Sequence, residues 1–271
     1  MSTRPPPPRL SVIPAMRSPR VLVLRRGPTR LFHVVLWNPV SGETQFGSWF
    51  HGRLFAERCD ISPDGEWMVY SAEGAHRAYK PTGNRLWTGL ARPPWLQTVA
   101  AWPSDEYTGS GGGFFLSSGE LVIQTVSAPS IDESMRRAFP FAIRYQDPWS
   151  AATSPSPRDR FERSGWRSFR SAQCQGNADW PDDARRSQPS SRHPVLLATF
   201  KSRSRRGRGC YEFALDPKSP VVNSLVDDAA WDNAGALLIA RGGRVERYTL
   251  DDLEREAPSA VLDLNNLEPP A

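Results

Sequence analysis

The chain reads as an all-β protein of short antiparallel strands, and three features predict this class. The first is the turn Ser62-Pro63-Asp64-Gly65. Pro63 presets φ for the first central turn position, Asp64 tolerates the second, and Gly65 can take the left-handed conformation that opens a bulged hairpin. Trp67-Met68-Val69-Tyr70 then follows as a bulky run without alternation, so this strand has no wet face and belongs between stacked sheets. The second feature is recurrence. Ser117-Ser118-Gly119 precedes Glu120-Leu121-Val122-Ile123-Gln124, and Ala234-Gly235 precedes Ala236-Leu237-Leu238-Ile239-Ala240. The third is the scarcity of helical periodicity, since only residues 131–137 suggest a short helix.

Taken in order, residues 1–18 read as a disordered Pro- and Arg-rich tail. Pro5-Pro6-Pro7-Pro8 favours polyproline II, which buries no core, and Met16 is a second candidate for the first residue. Arg20-Val21-Leu22-Val23-Leu24 is the first expected strand. Leu31-Phe32-His33-Val34-Val35-Leu36-Trp37, dense in β-branched and aromatic residues, is the second. Asn38-Pro39-Val40-Ser41-Gly42 turns it back into 43–46, and Trp49-Phe50-His51-Gly52-Arg53 links on to the central hairpin. Strands are expected at 97–102, 113–116 and 139–145, with a hairpin of 195–200 and 209–215. Asp216-Pro217 then stands where Asn38-Pro39 stood, before a returning strand at 221–225 and, after the Gly235 hairpin, a further strand at 245–250. Residues 177–191, rich in Ser, Pro, Arg and Asp, read as a flexible insert. The ordered part is a single domain over 19–255, and 256–271 form an acidic, Pro-containing tail.

Ser-Pro-Asp-Gly ahead of an aromatic and aliphatic strand resembles the inner hairpin of WD40-like and TolB-like β-propeller blades. Residues 60–70 carry the resemblance directly, with 231–240 and 117–124 as weaker copies. It implies a β-propeller-like fold of about five blades, either complete or partial and irregular. Closure into a ring would remove the exposed sheet edges that separate hairpins leave. One departure is Trp231-Asp232, which precedes its turn instead of closing a blade. Residues 21–27, 49–53 and 59–74 also resemble a group of bacterial proteins without an assigned activity. Such a scaffold does not fix function.

Composition narrows the options. The 12 Phe, 10 Trp and 6 Tyr of the 271 residues can fill a real core. The formal charge of +5 comes almost wholly from arginine, spread along the chain as a compositional habit and not as one patch. Cys59, Cys174 and Cys210 have neither metal spacing nor a C-x-x-C pair and read as reduced thiols, which points to the cytoplasm. No apolar run approaches the ~18 residues of a membrane span, and no signal-peptide h-region is recognisable.

Chemistry-bearing residues are few. His33 sits inside an apolar strand and reads as a hydrogen-bonded core histidine. His51, with Arg53 and Asp60 near in sequence, is the candidate catalytic set: a general base with an anion-binding neighbour. The competing reading is a structural hydrogen-bond network before the inner strand. The histidine spacing fits no metal site, and no metal or cofactor is expected. Gly109-Ser110-Gly111-Gly112-Gly113 could cradle a phosphate, but it lacks Lys-Ser/Thr and leads into a strand, so it reads as a flexible loop. Cys59 reads as a small buried thiol. The pairs Asp182-Asp183, Asp227-Asp228 and Asp251-Asp252 read as solvated turns. Arg203, Arg205 and Arg206, in the Arg-rich 185–208 stretch, are the candidate nucleic-acid contacts, weighed against a solvated hairpin tip. The expectation is a non-enzymatic interaction module whose partner is a protein. The alternatives are a propeller hydrolase or lyase using His51, Arg53 and Asp60, and a nucleic-acid binder.

Overall fold

A computed structural model describes residues 6–27, 30–74, 85–104, 111–117, 120–125, 139–146, 165–168, 184–201, 210–223 and 225–269. Over these residues the chain is all-β. The largest sheet contains β1 (Arg9–Pro14), β2 (Val21–Arg26), β3 (Leu31–Trp37), β4 (Thr44–Leu54), β6 (Met68–Gly74), β7 (Leu86–Ala91) and β8 (Thr98–Ser104) in that order, with β5 (Asp60–Ile61) paired to β6. A second sheet has the order β11 (Ala142–Gln146), β10 (Glu120–Gln124), β9 (Gly113–Ser117). The third runs β12 (Trp166–Ser168), β13 (Ala184–Ser187), β14 (Val195–Lys201), β15 (Cys210–Asp216). The fourth runs β16 (Val226–Trp231), β17 (Leu237–Arg241), β18 (Arg244–Tyr248), β19 (Ala260–Asp263). Pairing is antiparallel except between β10 and β11, which are parallel. A short helix, α1 (Leu250–Arg255), is closed at its start by a capping box between Thr249 and Asp252. No helix among the described residues is long and apolar enough to cross a membrane.

The run after Gly65 behaves as its composition demands. Met68, Tyr70 and Ala72 enter a core shared with Ile13, Leu22, Leu24, Phe32, Val34 and Leu36, so the large sheet doubles over and packs β5–β7 on β1–β3. Trp67 and Val69 enter a different core with Leu90, Trp102, Phe115, Leu121 and Ile123, which joins β6–β8 to the β9–β11 sheet. The alternation continues in β1–β3. Leu10, Val12, Val21, Val23, Val35 and Trp37 turn the other way, onto Leu238, Ala240, Val245 and Leu262 of the fourth sheet. The far face of that sheet, with Trp231, Leu237, Ile239 and Tyr248, covers Trp166, Leu196, Ala198 and Leu215 of the third. The layers therefore follow one another as β12–β15, β16–β19, β1–β4, β5–β8 and β9–β11, and the three middle layers are buried on both faces.

The two hairpins matched in sequence are matched in detail. Gly65 and Gly235 have φ of +78° and +79°. Each donates its N–H to the carbonyl three residues back, Ser62 and Asp232. Ser62 Oγ accepts the Glu66 and Trp67 N–H groups at 3.1 and 2.9 Å, and Asp232 Oδ1 accepts those of Ala234 and Ala236 at 2.9 and 2.8 Å. An Asx and a Ser side chain thus build the same turn.

Several expectations are corrected. Residues 9–14, read as part of a tail, form β1, because Leu10 and Val12 alternate with Ile13 between two cores. Trp49 to Arg53, read as a link, continue β4. Residues 221–225 are turn and bend, and the strand begins at Val226. Within the presumed insert, residues 184–187 form β13. The presumed acidic tail contributes β19, with Leu262 and Leu264 buried. The helix expected at 131–137 lies outside the described residues.

Candidate functional site

At its far end β4 leaves β3 and pairs with β6 through Gly52↔Gly74, Arg53↔Glu73 and Leu54↔Ala72. The crossing is tight: a Cβ on Gly52 would lie 2.4 Å from the Glu73 carbonyl oxygen and 2.6 Å from the Phe50 ring. His51 and Arg53 flank this glycine, and two residues apart on a strand means one face. His51, opposite Leu31 of β3, is exposed. Arg53 stands across from Glu73, a carboxylate only 7% exposed that is paired with Arg85 at 2.6 Å.

Beyond β4 the backbone N–H of Phe55 donates to the Ser71 carbonyl, and a short 3-10 turn (Ala56–Arg58) follows. This places the guanidinium carbon of Arg53 4.2 Å from the Phe55 ring centre and that of Arg58 5.4 Å from it. Two cations thus share one ring, each attracted by its quadrupole. Arg53, Phe55, Arg58, Arg85 and His51 form a basic ridge at the junction of β4 and β6. Phe55, Arg58, Glu73 and Arg85 were missed in the sequence. Their only signal there was Arg53-Leu54-Phe55, an arginine two residues before an aromatic on a strand.

Asp60 has a different place from the other two members of the expected set. It is 1% exposed and its Oδ2 accepts the Phe115 N–H at 2.8 Å, fastening β5 to β9. The fold brings His51 and Arg53 onto one face and turns Asp60 into the interior. Asp228 repeats the device, its Oδ2 accepting the Val12 N–H of β1 at 3.0 Å. The pair Asp227-Asp228, expected as a solvated turn, instead lies in β16. Burial pushes the Asp227 carboxyl up, against the Leu10 amide and Arg9, which hold it down. Asp252 caps α1, and Asp182 and Asp183 lie outside the described residues.

The other candidates resolve as follows. His33 is 2% exposed and stacks on Trp49, with ring centres 4.1 Å apart and planes 3° from parallel. Burial, reinforced by the nearby Arg25 cation, lowers its pKa to about 4, opposed by a hydrogen bond with the Gly47 backbone. Its Nδ1 is buried without a partner, so only part of the expected hydrogen bonding is present. Arg25 itself is buried, donating to the carbonyls of Leu264 at 2.8 Å and Leu267 at 3.1 Å. Cys59 is fully buried, its Sγ 3.2 Å from the Phe55 carbonyl. In the Gly-rich loop, the Gly111 N–H donates to the Gln124 carbonyl and the Gly112 N–H to Thr88 Oγ1, so these amides serve packing. Arg203, Arg205 and Arg206 lie outside the described residues, as does His76. Among the described residues no three His, Cys, Asp or Glu side chains group to hold a metal ion. Compared with known proteins, the chain matches no family model and no curated protein.

Proposed function

We propose that the chain is a non-enzymatic binding module of the cytoplasm, propeller-like with about five blades, that presents its β4–β6 ridge to a partner protein. The ring reading is supported by the succession of layers, each sharing a core with the next. It is also supported by the two aspartates that hand a hydrogen bond from the first strand of one layer to the first strand of the following one. The Ser62 and Asp232 turns support the likeness to WD40-like and TolB-like hairpins.

One observation carries the binding reading: two guanidinium groups are fixed on Phe55 beside an exposed histidine. Arginines ordered before a partner arrives lose less rotamer freedom on contact, which suits a recognition surface. A hydrolase or lyase built on His51, Arg53 and Asp60 is the weaker reading, because its acid is spent on the Phe115 amide in the interior. The test is retention of partner polypeptides by the immobilised chain. Wild type is expected to retain a partner that the Arg53→Ala/Arg58→Ala variant releases. Equal retention by both, or none by either, overturns the proposal.

A further inference from the structure

We infer that the ridge docks an acidic, extended segment of the partner polypeptide; this rests on the binding-module reading and names the chemistry of what it binds. The charge balance of the ridge is the first argument. Arg53, Arg58 and Arg85 converge there with His51, and the backbone of Arg30, itself exposed, closes on Gly52. Against them stand exposed Glu57 and buried Glu73, the latter already paired with Arg85. The face turned to solvent is therefore net positive.

Geometry is the second argument. A guanidinium has five N–H donors in a planar fork, so the contacts it makes within the protein leave donors for a carboxylate. With Arg53 and Arg58 held on one ring, two such forks are offered close together. Carboxylates on every second residue of an extended peptide fall on one side of it, spaced by about 7 Å, a match for paired forks.

Nucleic acid fits less well. Single-strand binders need open aromatic faces for the bases, and the Phe55 ring is already taken up by two guanidiniums. The exposed Glu57 within the ridge also opposes a continuous phosphate backbone, whereas discrete side chains of a peptide can be set around it.

Fluorescence anisotropy with the full chain decides the matter, using a labelled oligoglutamate peptide and a single-stranded oligodeoxynucleotide of equal charge. The peptide is expected to bind, to weaken as salt rises, and to lose about tenfold or more in affinity in Arg53→Ala/Arg58→Ala. Arg244→Ala, at an exposed arginine of β18, is expected to leave binding unchanged. Should the double alanine variant melt early, Arg53→Gln/Arg58→Gln keeps much of each stem over Phe55 and gives the same readout. Equal losses in the ridge and β18 variants overturn the inference, as does tighter binding of the oligonucleotide. An oligoglutamate that neither binds nor displaces a polypeptide retained by the chain also sinks it, while leaving the binding-module reading in place.

Discussion

His33 shows how one position couples the interior to pH. Its folded pKa of about 4 lies below the ordinary value of 6.5, so the unfolded chain takes up a proton that the folded chain refuses. Stability therefore holds above pH 6.5 and falls as the pH drops toward 4, by about 2 kcal/mol in all. Denaturant titrations of wild type and His33→Gln between pH 7 and 5 should show that slope in the first and a flatter line in the second. Asp60 gives a second expectation at this scale. Asp60→Ala leaves the buried Phe115 N–H unpaired and should cost about 1–3 kcal/mol, while Asp60→Asn, which keeps an acceptor oxygen, should cost less. The same titration at neutral pH reads both. A histidine inside an apolar strand was legible as buried. The inward turn of Asp60 was not, because its partner Phe115 is far away in sequence and belongs to another sheet.

At the scale of elements, the glycine hairpins are the most legible parts, since φ near +80° is a local demand that glycine meets and other residues resist. Gly65→Ala and Gly235→Ala should each lower the denaturation midpoint, by about 1 kcal/mol or more of stability. A Cβ on Gly65 would come 2.7 Å from Arg20 Cδ, and one on Gly235 2.8 Å from His193 Nε2, so strain and crowding add. The strand Leu31–Trp37 was read to its ends, because β-branched and aromatic residues fill it and a turn follows. Strand β4 was cut short in the reading. Gly47, Ser48 and Gly52 break its pattern, and only contacts with the Pro94 carbonyl and with β6 keep it extended.

Across the whole molecule β1 is the join. Ile13 faces the core with β5–β7, while Leu10 and Val12 face the fourth sheet, so one short strand ties the first layers to the last. Removing residues 1–14 takes three large aliphatic side chains from those cores and should cost about 5 kcal/mol or more, leaving a broad, weakly cooperative melt by calorimetry. Removing residues 1–5 should leave the melt unchanged. A shortened chain that melts like wild type would refute this role for β1.

The sequence by itself determined the class, the hairpin turns and the double-sided burial of Met68 to Tyr70, because each depends on neighbours a few residues apart. Only the tertiary structure decided that β1 and β19 are structural, that Asp60 and Asp228 link layers, and that Arg53 and Arg58 meet on Phe55. Those outcomes depend on which distant strand lies alongside, and the alternation of side chains within one strand leaves that partner unspecified.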